Sequence, residues 1–304
     1  MVTGPLPYLY LVLTTLFWSG NFVIGRGVHD IVPPIALSFW RWGVALLILL
    51  PFATHHLWRQ RALALKSWRF LVTQGVLGVA GFNTLVYLGL QSTGAINAVL
   101  VNSTVPVIIV FISYTLYRER ITPRQGIGGL ISLLGVIWVV TRGAPLTIFA
   151  LDGTVGDLWV LAAALTWASY SVLLRHYPEG LHPLAFLLAI IIAGLVALAP
   201  FYAWEHQSGR VIRFDRPTLL SVLYVALFAS VLAFIFWNRA VRWVGANRAG
   251  IFVHLMPVFS TLLAIAFLDE HLQNYHLWGI AAVASGIMLT TLRIPGRTGK
   301  RGAG

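Results

Sequence analysis

No cysteine occurs anywhere in the 304 residues, which excludes disulfides, thiol catalysis and thiolate metal sites and leaves the redox compartment open. Acidic residues are almost as scarce, nine Asp and Glu in all, and none falls at the middle of a long apolar run. That absence removes the carboxylate relay through which many pumps carry protons across a membrane. Catalytic constellations are missing too. There is no H-E-x-x-H, "GTVGD" at 153–157 offers one aspartate where an intramembrane aspartyl site needs two, and "THH" at 54–56 has no third ligand nearby. An enzyme is not expected, and no cofactor or metal is implied. Nor is there a central cluster of Lys and Arg to pair with a phosphorylated solute.

What the chain has in excess is apolar surface, with hydrophobic residues at 58% and charged ones at 10%, outside the range of ordinary soluble domains. Segments long enough to cross roughly 30 Å of hydrocarbon at about 1.5 Å per residue recur at 7–25, 33–52, 70–90, 95–117, 125–141, 158–174, 183–203, 218–238, 249–268 and 276–292. The expected fold class is an all-α integral membrane protein with ten transmembrane helices. The first segment lacks the cationic start and cleavage site of a secretory signal and is read as a span. If both termini are cytoplasmic, fifteen Lys and Arg fall in inside segments, five fall outside, and Arg41 lies within the second span. The net charge of +12 then orients the chain by the positive-inside rule and does not call for nucleic acid. The prediction is a multi-pass protein of the plasma (bacterial inner) membrane.

The sequence also repeats itself. At an offset of 149, Trp18 meets Trp167, Arg26 meets Arg175, Asp30 meets Glu179, Pro34 meets Pro183 and Pro51 meets Pro200. At 151, Gly94 meets Gly245, Pro106 meets Pro257, Glu119 meets Glu270, Gly128 meets Gly279 and Gly135 meets Gly286. This divides the chain into halves at 1–150 and 151–304, each with five predicted spans. An odd number forces the second copy to enter from the opposite side, giving the inverted-topology repeat of many secondary transporters.

The stretches "FWSGNFVIGR", "SFWRW" and "GAINAVLVNSTVPVIIVFISYTLYRERITPRQGIGGLISLLGVIWVV" resemble the drug/metabolite transporter superfamily, specifically its EamA-type members with two five-helix halves. The second half repeats the third stretch as "GANRAGIFVHLMPVFSTLLAIAFLDEHLQNYHLWGIAAVASGIML". The resemblance implies export or facilitated movement of small metabolites, often amino acids, through a cavity lined by spans 1, 3, 4, 6, 8 and 9.

Polar residues within the spans are the candidates for solute contact. Thr14, Trp18, Asn21 and Gly25 share one face of the first helix. An amide turned to lipid costs roughly 4 to 8 kcal/mol on alkane-type scales, so this face looks inward, and Asn21 either bonds a neighbouring helix or meets solute. Trp18 and Trp167 lie near mid-span and are expected to converge on the pseudo-axis, lining a cavity or packing helices. "WASY" puts Tyr170 where "WSGN" has Asn21. Asn83 and Tyr87 share a face of the third span, Asn102 and Pro106 one of the fourth. Their depth suggests an outward-opening vestibule with Asn97 nearer its mouth, or else an amide network. Pro106 and Pro257 free backbone carbonyls at matched positions, for a ligand or for packing alone.

His254 is read as the only ionisable group deep in the membrane, suited to solute contact, gating or proton coupling, or simply satisfied by a neighbour. Arg41 is placed toward the outer end of the second span, pairing with Asp157 or another edge carboxylate, or binding a substrate carboxylate. Glu119 and Glu270 are read as caps or arginine partners. Gly128 with Ser132 and Ala282 with Gly286 mark close helix contacts, within the chain or with a second copy. These readings predict alternating access for a small neutral or zwitterionic solute, most readily an aromatic or branched amino acid, by a monomer or weak homo-oligomer. Proton-coupled antiport through His254 is the alternative.

Overall fold

The computed structural model describes residues 4–27, 32–93, 95–150, 153–267 and 273–291, and among them there is no strand. The long helices are α1 (Leu6–Gly27), α2 (Pro34–Arg59), α3 (Trp68–Gly89), α4 (Ala95–Asn102, resuming as Val105–Tyr117), α5 (Pro123–Val140), α6 (Val155–His176), α7 (Pro183–Gln207), α8 (Arg216–Val244), α9 (246–267) and α10 (Asn274–Thr291). Eight of them, α1 to α8, are long and apolar enough to cross a membrane. The other two occupy the ninth and tenth predicted segments: α9 is divided by a 3-10 turn at Ile251–His254, and α10 opens on the polar run Asn274, Tyr275 and His276.

Local chemistry sets the helix starts. Thr122 and Thr154 cap α5 and α6 through reciprocal bonds with Gln125 and Asp157, and Asp215 accepts from the Thr218 amide at the start of α8. Pro34, Pro123 and Pro183 sit in the first turn of their helices, where the missing N–H costs nothing.

Two pairs of repeat-related helices pack on each other. A Cβ on Gly128 would lie 2.6 Å from the Gly286 carbonyl oxygen, and one on Gly135 would lie 2.9 Å from that of Gly279. The α5 and α10 backbones therefore touch through their glycines, as small-residue packing in membranes requires. Numbers rise along α5 as they fall along α10, so the two run antiparallel. The small residues flagged in the sequence face each other within one chain.

The pair α2 and α7 is antiparallel as well. Glu205, near the end of α7, accepts from the Ile35 and Ala36 amides that open α2, at 3.2 and 2.6 Å. At the other end, His56 of α2 stacks at 3.7 Å on His182, the residue that caps α7. Desolvation, followed by the neighbouring His56 and Arg239, holds the His182 pKa below the ordinary histidine range.

Two irregularities recur in both halves. The third helix of each carries a π-helical stretch, Gly75–Gly81 in α3 and Val225–Leu232 in α8. The fourth breaks just before its proline, at Ser103 and Thr104 in α4 and at Ile251–His254 in α9. Pro106 and Pro257 thus lie in the first turn of a new helix rather than kinking a continuous one.

Candidate functional site

Arg41 is the centre of the buried polar chemistry. Seven residues into α2, about 10 Å along its axis, its side chain is 0% exposed. Nε and Nη2 both donate to Ser230 Oγ, at 2.9 and 2.8 Å. Nη1 lies within bonding distance of three acceptors, Asn83 Oδ1 at 2.7 Å, Tyr87 Oη at 2.8 Å and Asn21 Oδ1 at 3.2 Å. The π-helical stretch of α8 makes this possible, because the Ser230 hydroxyl donates to the Val225 carbonyl five residues back and leaves both lone pairs for the guanidinium.

Two expectations are corrected here. Arg41 does not pair with Asp157: its partners among the described residues are all neutral, and Asp157 instead accepts from Thr93 and caps α6. His254 is not the only ionisable group deep within the fold, because Arg41 is buried as completely. The sequence signal was there in "SFWRW", but its meaning depended on neighbours from α1, α3 and α8 that no local pattern links to it.

Asn21, Asn83 and Tyr87 meet at this arginine, and the Tyr87 hydroxyl also donates to Asn21 Oδ1 at 2.7 Å. In the second half the Tyr170 hydroxyl donates to Asn238 Oδ1, again at 2.7 Å. Tyr170 is the repeat mate of Asn21, and Asn238 that of Tyr87. The two copies have exchanged the donor and the acceptor and kept the bond.

An aromatic layer separates the two polar pairs. Trp18 meets Trp167 edge to face at 4.8 Å, and Trp237 lies 5.2 and 5.5 Å from them. Phe234 bridges from Trp167 at 5.4 Å to Trp42 at 4.9 Å, beside Arg41. The repeat-related pair does meet, ring against ring. The indole of Trp18 donates to the Ala229 carbonyl at 3.1 Å, whereas that of Trp167 is buried without an acceptor.

His254 lies apart from this cluster. Its Nε2 donates to the Ser103 carbonyl at 3.1 Å, and Nδ1 of the neutral ring then accepts from the Ser132 hydroxyl at 2.8 Å. Ser103 is the repeat mate of His254. The ring therefore joins the two helix breaks and satisfies a carbonyl that the break in α4 exposes. Asn102 stands next to it, 3.9 Å from Met256 Sδ. Pro106 and His254 border a mainly apolar pocket of about 230 Å³ between α4, α5 and α9. Pro257 lies in the first turn of the helix beyond, which begins at Leu255.

A polar cleft of about 390 Å³ opens where α4, α6, α8 and α9 meet, lined by Ser171, Arg175, Tyr177, Glu179 and Arg242 among others. Arg175 pairs with Glu119 at 2.9 Å, so Glu119 has the arginine partner expected of it, while Glu270 lies outside the described residues. Arg242 lies 3.7 Å from the Tyr177 ring centre. Burial pushes the Tyr177 phenol up to about 12, against the opposing pull of Arg242 and Arg239. At the floor of the cleft, Ser171 accepts from the Trp237 indole at 3.2 Å. The cleft thus ends at the aromatic layer, and Arg41 lies beyond. It is at the opposite end of the bundle from the vestibule expected near Asn97. Among the described residues no group of His, Asp and Glu is placed to hold a metal.

Similarity to known proteins follows the same architecture. The transporter YyaM of Bacillus subtilis (strain 168), described as uncharacterized, is 23% identical over 95% of each chain, and YetK, described likewise, is 29% identical over 94% of this chain and 87% of that one. An uncharacterized transporter of Archaeoglobus fulgidus is 28% identical over 94% of this chain and 97% of its own. A crystal structure of a protein 20% identical superposes with a TM-score of 0.76 over 94% of this chain and 96% of the other, a likeness of fold. The model of the EamA-like transporter family matches twice, over residues 5–141 and 154–292. A multi-pass membrane chain that matches one family model in each half, and whose relatives are named as transporters, belongs to the EamA-like transporter family.

Proposed function

We propose that the protein is an exporter or facilitator of small neutral or zwitterionic metabolites, amino acids with aromatic or branched side chains above all, working by alternating access between two oppositely inserted five-helix halves. The observation that carries this reading is the meeting of repeat mates. Trp18 touches Trp167 and Ser103 receives the bond from His254, while the glycines make the reciprocal exchange a two-fold requires: Gly128 faces Gly286, the mate of Gly135, and Gly135 faces Gly279, the mate of Gly128. Equivalent residues touch one another only along a two-fold axis between the copies, and the antiparallel pairs α2 with α7 and α5 with α10 fit an axis lying in the membrane plane.

With both termini in the cytoplasm of a bacterial cell, the Arg175 cleft faces inward and the aromatic layer closes the route to the outside. Reopening requires the layer to part, as rocking of one half on the other would achieve. His254 serves the breaks of α4 and α9 in this arrangement, which favours a solute-driven facilitator over proton coupling.

The test is counterflow in proteoliposomes with labelled amino acids, nucleosides and sugars. Wild type is expected to exchange amino acids, and Trp18→Ala or Trp167→Ala to lower that flux by about tenfold or more while eluting as folded protein. Wild-type flux in both variants would remove the aromatic layer from the pathway, and no exchange of any solute would remove the reading.

A further inference from the structure

We infer that Arg41 is the carboxylate receptor of the transport pathway, so that the transported solutes are zwitterions whose carboxylate it holds beside an apolar or aromatic body. This rests on the transporter reading above and names the recognition element within it.

The argument is one of unmatched donors around a buried cation. The guanidinium carries five N–H donors in a planar fork. Ser230 takes one from Nε and one from Nη2 and is then saturated, since its own proton goes to Val225. The second hydrogen of Nη2 has no acceptor among the described residues, and no carboxylate there balances the charge. Two further buried donors lie beside it without a partner: Asn83 Nδ2, whose Oδ1 already accepts from Arg41, and Nε1 of Trp42, whose ring centre is 5.3 Å from the guanidinium carbon; the unpartnered Trp167 Nε1 lies farther off, in the aromatic layer.

A cation with surplus donors and no anion fits a ligand that brings negative charge and several lone pairs in a plane, which describes a carboxylate. Phe234 and the tryptophans supply an apolar wall directly beside it. A purely structural arginine would use the same neutral cage but would leave no preference for a solute that carries a carboxylate. The cation is also asymmetric in the fold. The repeat mate of Arg41 is Ile190, so the halves share one such centre rather than two.

The experiment measures binding to the purified full chain by thermal unfolding, titrating L-phenylalanine, 3-phenylpropionate and L-phenylalaninamide. Both carboxylates are expected to bind at least about tenfold more tightly than the amide, because a site built to hydrogen-bond a group rejects the analogue lacking it. In Arg41→Gln that ratio falls to about one, and in Arg41→Lys part of it returns. Equal affinity for amide and carboxylate in wild type, no binding of any of the three probes, or an unchanged ratio in Arg41→Gln, overturns the assignment. If Arg41→Gln does not fold, the wild-type ratio and Arg41→Lys decide. Counterflow of amino acids by a wild type that ignores the carboxylate would reject Arg41 alone, whereas absence of all counterflow rejects the transporter reading beneath it.

Discussion

Tyr87 donates to Asn21 in the first half of the molecule, and Tyr170 donates to Asn238 in the second, with the residue types exchanged between equivalent positions. What was retained through the divergence of the copies is the bond between the first and third helices of each half, not the residue at either end. The surroundings of the two bonds differ far more. In the first half Arg41 adds its charge to the pair, and in the second Ile190 fills the equivalent place with a side chain that needs no partner. One half sets the bond among apolar neighbours, and the other adds a buried cation to it.

That contrast is sharpest when the two tyrosines are altered. Tyr170→Phe leaves the buried Asn238 carbonyl oxygen without its donor and is expected to cost about 1 to 2 kcal/mol. Tyr87→Phe should cost less, because Asn21 Oδ1 retains Arg41 Nη1. Thermal unfolding of the two purified variants checks this, and a larger loss for Tyr87→Phe would mean that the arginine cage is a single cooperative unit. The smaller effect concerns the tryptophan pair. Trp18→Phe forfeits the bond to the Ala229 carbonyl, while Trp167→Phe removes a donor that has no acceptor. Trp18→Phe is therefore expected to be the less stable by about 1 kcal/mol. Equal losses in the same unfolding assay would show that ring volume alone matters in the aromatic layer.

The fold was readable where it rests on composition and recurrence. Long apolar runs mark the helices because lipid accepts little else. The tryptophan, proline and glycine matches mark the duplication because those residues do work that few others can replace. Gly128 and Gly286 disclosed a close contact, though not that they contact each other. The site was readable only in part. Asn21, Asn83 and Tyr87 stand out because an amide or phenol within a span needs a partner, yet the partner they share comes from another helix and was assigned elsewhere. Ser230 carried no signal, since a serine in a span usually bonds its own backbone; only the π-helical stretch at Val225–Leu232 explains why its lone pairs turn to Arg41. His254 drew attention by its chemistry, and its satisfaction by Ser103 and Ser132 depends on three chain segments meeting at two helix breaks. Local periodicity records which face of a helix is polar. It does not record what stands opposite.

The opposed insertion of the halves is the claim on which the pathway depends, and the cysteine-free sequence makes it directly measurable. Arg59 and Ser208 are repeat mates at the exposed ends of α2 and α7. A membrane-impermeant maleimide applied to intact cells should label Ser208→Cys and leave Arg59→Cys unlabelled until the membrane is permeabilised. Labelling of both positions from the same side would place the copies in parallel and contradict the account.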